Sequence, residues 1–134
     1  MMKQKRTDCT FTIYDDVFCF EIDVYIGKWA NFCKWRSRRY PNHSFEPLIV
    51  PVIMGGIFHP GCVRKDERHL VGVIWFSEDP ERRAIVHEAV HAAAWVCRIR
   101  NLISKPIDED NEVFPCIVAY IVNEICKGQN PIGR

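Results

Sequence analysis

The sequence predicts one α+β domain over residues 1–134, with a small mixed sheet, a short helix and two longer helices at the end. Three observations support this class. The first third alternates apolar and polar residues, a Val- and Ile-rich strand lies in the middle, and two helical segments follow. A length of 134 residues suffices for one hydrophobic core, and no repeat, low-complexity tract or linker divides the chain.

The N-terminal third is expected to form a β-hairpin followed by a short helix. Residues 10–14 and 17–26 alternate in hydrophobicity, so that each strand has one apolar and one polar face. Asp15 and Asp16 lie between them and suit a tight turn. Residues 27–40 carry apolar side chains at helical spacing, and the proline that follows ends this helix.

The middle of the chain is expected to hold two strands separated by a loop. Residues 48–54 are apolar enough for a buried strand, although Pro51 restricts that strand to an edge or a bulge. Proline, glycine and charged residues make residues 58–67 a predicted loop. Residues 70–76 are rich in Val, Ile and aromatic side chains, and they predict a strand.

Two helices are predicted in the second half. Asp79 is a suitable N-cap and Pro80 a suitable first helical residue, and the helix that they open runs to about Arg100. Its apolar residues point in almost every direction, which predicts a helix buried inside the domain. A polar loop over residues 101–110 leads to a last helix, which ends near Lys127 and is expected to pack on the buried one.

Composition predicts a cytoplasmic protein that binds neither nucleic acid nor membrane. The formal net charge is +1, so no global field attracts polyanions, and the basic run over residues 34–39 is interpreted as a solvated helix face. The N-terminus has no apolar core of a signal peptide behind it, and no apolar stretch is long enough to cross a bilayer. The seven cysteines follow no disulfide or zinc-ribbon pattern, which agrees with a reducing compartment.

The first long helix carries a His-Glu-x-x-His sequence, formed by His87, Glu88 and His91. Residues four apart lie one turn apart on the same helix face, so both imidazoles can direct a nitrogen to one point. Two imidazoles in that geometry supply half of a tetrahedral zinc site. Glu88 is rotated by about 100° from His87, where its carboxylate can act as a general base beside the metal. The motif therefore predicts metal-assisted hydrolysis.

The alternative interpretation of the motif is a pair of core histidines that are hydrogen-bonded to backbone and to Glu88, without metal. A chance His-Glu-x-x-His has a probability of roughly one in a hundred in a chain of this composition. Its position on a predicted helix directly after a strand makes chance a weaker explanation.

A strand, a turn, a helix with His-Glu-x-x-His and a second helix together resemble the minimal core of the zincin metallopeptidases. The resemblance covers roughly residues 70–127. It implies that His87 and His91 bind zinc, that Glu88 activates the attacking water, and that residues 70–76 form the strand beside an extended peptide. The small size and the early strands also resemble short phage and bacterial zincin-like proteins, and a phage protein of this kind would act in the host cytoplasm.

A catalytic zinc normally takes a third protein ligand. In the metzincin branch this ligand follows a glycine turn, but Ala94 occupies the glycine position here, so Cys97 is interpreted as a core residue. In the gluzincin branch a glutamate of the next helix serves. Glu112 is the preferred candidate, because it begins the helix that packs on the motif, and Glu109 is the reserve.

Further acidic residues and a tyrosine remain open as site residues. The other acidic candidates are Asp108, Asp110 and Glu124, and the alternative role for the acidic run before the last helix is helix capping in solvent. Tyr120 can serve as an oxyanion donor or as a packing residue of the helix.

Three functional hypotheses follow. The first is a small zinc hydrolase, a metallopeptidase with a peptide or protein substrate, in which Glu88 is the general base. The second is a zinc-stabilised binding protein without catalysis, for example a phage protein that docks on a host or virion partner. The third is an interaction domain without metal. The sequence indicates no oligomeric state.

Overall fold

The strand-forming and helix-forming segments assemble into a four-stranded sheet with helices against both of its faces. A computed structural model describes residues 8–45, 55–102 and 112–129. Along these ranges the elements are β1 (Cys9–Asp15), β2 (Phe20–Ile26), α1 (Trp29–Arg39), β3 (Gly56–Cys62), β4 (Val71–Phe76), α2 (Arg82–Ile99) and α3 (Val113–Gln129). This mixture confirms the predicted α+β class. None of the described helices is long and apolar enough to cross a membrane.

The sheet has the strand order β1-β2-β4-β3. β2 and β4 pair in parallel, and each outer strand pairs antiparallel with its neighbour. The predicted hairpin is confirmed as β1–β2, with Asp15 opposite Phe20. Its turn over residues 16–19 is wider than the predicted tight turn. Asp15 Oδ2 accepts a hydrogen bond from the Phe18 N–H at 2.8 Å, and Cys19 takes a positive φ of 53°.

Both faces of the sheet are covered. Ile22 and Val24 of β2, with the even-numbered residues of β4, pack against α2 and α3. Tyr25, with the odd-numbered residues of β4, packs under the aromatic side chains of α1. The predicted polar face of β2 is wrong, because α1 folds over it and leaves Asp23 only 1% exposed.

Residues 58–62 were predicted as part of a loop over residues 58–67, but they belong to the edge strand β3. Gly56–Cys62 pairs with β4, and the register shifts between His59 and Cys62. Pro60 and Gly61 lie inside that irregularity, where the regular ladder of hydrogen bonds is interrupted. The missing N–H donor of Pro60 and the positive φ of 67° at Gly61 are therefore tolerated there. The strand predicted over residues 48–54 lies outside the described residues.

The motif helix α2 begins later and is less buried than predicted. Glu81 occupies the N-cap position without a side-chain cap, and Asp79 takes a positive φ of 53°, so the prediction of Asp79 as the N-cap is wrong. Ile85 and Ala89 face the core, but Val86 and Val90 are each 38% exposed. One side of the helix is therefore open to solvent, and the predicted burial on all sides is wrong.

Candidate metal centre

Two glycines of the sheet fix how α2 lies on it. A Cβ atom at Gly56 of β3 would lie 3.2 Å from Cγ of Glu88, so the glutamate stem rests directly on this strand. Two helical turns later, a Cβ atom at Gly72 of β4 would lie 3.2 Å from Cζ3 of Trp95. Glu88 and Trp95 lie on the same side of the helix, because they are seven residues apart. These contacts turn the Glu88 side of α2 towards β3.

The histidine pair lies beside Glu88 on the exposed side of α2. The Nε2 atoms of His87 and His91 are 3.2 Å apart, and their ring centroids are 4.8 Å apart. Two Zn–N bonds of about 2.0–2.1 Å at a tetrahedral angle would place the nitrogens about 3.3 Å apart. The two rings therefore already have the separation of two ligands on one zinc ion.

The histidines are exposed, contrary to the predicted burial of all three motif side chains, while Glu88 is only 4% exposed. Its Oε2 atom is buried and has no hydrogen-bond partner among the described residues. Burial raises the pKa of the Glu88 carboxyl, and the charge of His87 opposes this effect. A buried carboxylate oxygen without a partner is costly, so this oxygen is suited to a proton or to a group bound beside it.

The three motif side chains form the metal-ligand cluster found among the described residues. One ligand atom from each of His87, Glu88 and His91 lies within 4.8 Å of the others. Imidazole nitrogens with a carboxylate oxygen are a donor set that suits zinc. The residues present thus fit the metal that the motif predicts.

The strand next to the cluster is β3 and not β4. β4 is hydrogen-bonded to β2 on one side and to β3 on the other, so it has no free edge for a substrate. The prediction that residues 70–76 form the substrate-side strand is therefore wrong. β3 pairs with no described strand on its outer side, and its Gly56 contacts Glu88.

The two long helices run in opposite directions along the sheet. α2 ends at the hairpin turn, where the guanidinium of Arg100 donates to the Cys19 carbonyl. α3 passes the same end of the sheet near its middle, where the Tyr120 hydroxyl donates to the Tyr14 carbonyl. At its other end, Gly128 packs on the ring of Phe11, far from that turn.

This antiparallel arrangement separates Glu112 from the histidines. Glu112 is exposed directly before α3, and its carbonyl accepts the Cys116 N–H at 3.1 Å. It therefore lies near the end of α2, whereas His87 precedes Arg100 by roughly 20 Å of helix at about 1.5 Å per residue. The structure does not bring the predicted third ligand together with His87 and His91.

The other candidates do not join the cluster either. Tyr120 bonds to β1 and packs edge-on against Phe20, at the side of the sheet away from β3. Glu124 is close enough to Tyr120 to raise the pKa of its hydroxyl, after the larger effect of burial. Cys97 is a buried core residue, as predicted. Asp108, Glu109 and Asp110 lie outside the described residues.

Sequence reasoning missed Gly56 as part of the site. A glycine in a strand is a known signal of close backbone approach, but the pattern did not show which helix would approach it.

Comparison of the chain with protein-family models, curated proteins and solved structures finds no match. The resemblance to zincins therefore depends on the motif and on its setting in this fold.

Proposed function

We propose that this protein is a zinc-dependent hydrolase that cleaves peptide bonds, with His87 and His91 as zinc ligands and Glu88 as general base. One observation carries the proposal. The Nε2 atoms of the two histidines are separated by 3.2 Å, and beside them lies the carboxylate of Glu88, one oxygen of which is buried without a described partner. A core packing role would leave this oxygen unsatisfied, whereas a hydrolytic site uses it.

Each motif residue has a distinct role in this mechanism. His87 and His91 hold the ion through Nε2 on the exposed side of α2, where a substrate has access. A zinc ion bound there supplies a Lewis acid that makes water nucleophilic near neutral pH. The Glu88 carboxylate would accept the proton of the attacking water and return it to the leaving amine. In the metal-free protein, burial raises the pKa of Glu88, which makes its carboxylate a stronger base.

The strand β3 supports a peptide as the substrate. An extended peptide can add to the outer side of β3 through backbone hydrogen bonds, since that side pairs with no described strand. At Gly56 the helix-facing side of this strand is in direct contact with the stem of Glu88. A peptide bound along β3 would therefore pass beside the proposed base.

A second candidate function is a zinc-stabilised binding protein, and one observation favours it. Glu88 offers a ligand atom within 4.8 Å of both histidine nitrogens, so it can serve as the third ligand instead of the base. A carboxylate that is itself coordinated cannot accept the proton of the nucleophile. In that arrangement the ion stabilises the fold and the protein acts only by docking.

Metal content and turnover of the Glu88→Gln variant separate these functions. The protein is purified without chelator or polyhistidine tag, and its zinc is measured by mass spectrometry against His87→Ala and against His69→Ala, an exposed histidine outside the cluster. We expect about one zinc per chain, its loss in His87→Ala alone, and cleavage of a fluorogenic peptide library.

Glu88→Gln should keep its zinc and lose turnover by about 10²-fold or more. Loss of zinc in Glu88→Gln would show that Glu88 is a ligand, which supports the binding protein. Equal, negligible zinc in the wild type and in His87→Ala would refute the metal centre and leave an interaction domain without metal.

A further inference from the structure

A cleft lies on the face of the sheet opposite the metal-ligand cluster, between α1 and the segment that follows β3. Its volume is about 510 Å³, and four cationic side chains and two glutamates line it: Arg38, Arg39, Arg64, Lys65, Glu21 and Glu67. This volume is within the range of about 300–1,000 Å³ that is typical of small-molecule sites. The motif side chains of α2 are on the other face and take no part in it.

The floor of this cleft is built on a buried carboxylate. Asp23 accepts hydrogen bonds from Arg39 Nε at 2.9 Å, from Arg64 Nε at 3.0 Å and from the Tyr40 hydroxyl at 2.5 Å. Burial alone would raise the pKa of Asp23, but these bonds and one from Thr12 hold it well below the usual range. Asp23 therefore holds the guanidinium groups of Arg39 and Arg64 in fixed positions before any ligand binds.

The two glutamates of the cleft are engaged by other side chains. Arg64 NH1 lies 2.7 Å from Glu21 and 2.9 Å from Glu67. His69 Nε2 lies 3.2 Å from Glu21 and 3.5 Å from Glu67. Their negative charge is thus directed towards Arg64 and His69, and four of the five N–H donors of Arg64 are engaged by Asp23, Glu21 and Glu67.

Positive charge remains on the other side of the cleft. Arg38 and Lys65 are exposed, and neither forms an ion pair with a described residue. The Lys65 N–H donates to the Arg39 carbonyl at 2.8 Å, which brings Lys65 to the end of α1. Arg39 uses Nε and NH2 for Asp23, so its NH1 remains available. Arg38 and Lys65 therefore line the cleft without an ion-pair partner among the described residues, together with Arg39, whose charge is shared with Asp23 and whose NH1 group makes no bond to it.

We propose that this cleft binds the phosphate group of a small phosphate monoester through Arg38, Lys65 and NH1 of Arg39. Guanidinium groups match the geometry of phosphate oxygens, and a fixed guanidinium loses little entropy on binding. The guanidinium of Arg39 lies 5.4 Å from the ring of Trp35 and covers one face of it. Proteins that bind single-stranded nucleic acid stack the bases on open faces of aromatic rings. Because Arg39 covers this face of Trp35, the cleft suits a small ligand better than a nucleic-acid strand.

The proposal also accounts for the basic run over residues 34–39, which the sequence predicts as a solvated helix face. Arg36 leaves that face, because it is buried with its guanidinium 4.4 Å from the ring centroid of Phe45. Arg39 is fixed by Asp23. Lys34 is exposed and does not line the cleft, which makes it a charge-matched control on the same helix.

Isothermal titration with inorganic phosphate and with adenosine monophosphate tests the site, in a low-salt buffer free of other multivalent anions. We expect binding of both probes by the wild type, at least tenfold weaker binding in the Arg38→Ala/Lys65→Ala double variant, and a change below twofold in Lys34→Ala. The same variants should bind zinc like the wild type, so the result is independent of the metal centre.

Three outcomes would overturn the proposal. The first is no binding of either probe at millimolar concentration. The second is an equal loss in Lys34→Ala and in the double variant after correction for the number of charges, which would show unspecific attraction. The third is a single-stranded oligonucleotide that binds at least tenfold more tightly than the mononucleotide, which would assign the surface to nucleic acid.

Discussion

Replacing Gly56 with alanine should impair hydrolysis more than it impairs folding. The new Cβ atom would lie 2.9 Å from Cδ1 of Phe76 and 3.2 Å from Cγ of Glu88. Both distances are shorter than ordinary van der Waals contacts, so the ring and the glutamate stem must move by a few tenths of an ångström. Overpacking of this kind costs about 1–3 kcal/mol of stability, partly offset by about 0.5–1 kcal/mol from the less flexible unfolded chain.

Gly72 provides a matched control on the neighbouring strand. A Cβ atom there would lie 2.8 Å from Cε1 of Phe58 and 3.2 Å from Cζ3 of Trp95. The crowding is the same, but Glu88 is not among the displaced atoms. Gly56→Ala and Gly72→Ala should therefore lose similar free energies of unfolding in urea and should both keep one zinc per chain. Hydrolysis should fall by about 10- to 100-fold in Gly56→Ala alone, because small displacements of a catalytic group are costly.

Equal losses of hydrolysis in the two variants, after correction for the folded fraction, would refute this reasoning. Gly56 would then matter only for packing. A contact between the two residues can also be measured without any substrate, as a nuclear Overhauser effect between the Gly56 α protons and the Glu88 γ protons. Absence of that contact in the folded wild type would show that the carboxylate does not rest on β3.

Further predictions concern stability. Removal of zinc by a chelator should lower the wild-type melting temperature by about 8 °C if zinc was present at about 100 times its Kd, and leave His87→Ala unchanged. Asp23→Asn should lower the free energy of unfolding in urea by about 3–5 kcal/mol, because it breaks a buried ion-pair network, and Thr12→Val, which removes one bond to Asp23, by about 0.5–1.5 kcal/mol. Burial and the charge of Arg36 lower the pKa of His59 from 6.5 to about 4. The folded metal-free protein then binds fewer protons than the unfolded chain, so the free energy of unfolding should fall as the pH drops from 6.5 to about 4. His59→Phe should flatten this part of the profile, and an unchanged slope would contradict the assignment.

Local patterns were sufficient for the hairpin, for α1 and for the geometry of the histidine pair. His87 and His91 are one turn apart on any regular helix, so their spacing places their Cβ atoms about 5–6 Å apart on one face. The turn residues Asp15 and Asp16 located the hairpin, although hydrogen bonding by Asp15 widened its turn. These features depend on neighbours in the sequence.

Long-range packing was not predictable from such patterns. Asp23 looked like a solvent-facing strand residue, and its burial depends on Arg64, which is 41 positions away. β3 looked like a loop, because proline and glycine interrupt its alternation at the irregular end. Glu112 looked suitable for the metal from its place at a helix start, but the antiparallel direction of α3 places it at the other end of α2.

The contact between Glu88 and Gly56 has a consequence for the order of events during folding. The positions of His87 and His91 relative to each other require only one helical turn. The position of the Glu88 side chain also requires its contact with Gly56 of β3, a strand that is distant in the sequence and must first pair with β4. Contacts between distant residues form more slowly than contacts within a helix. If the protein is the zinc hydrolase proposed above, a chain whose helical turn has formed could bind the ion before Glu88 is in place, and it would gain hydrolytic activity only after β3 has paired with β4.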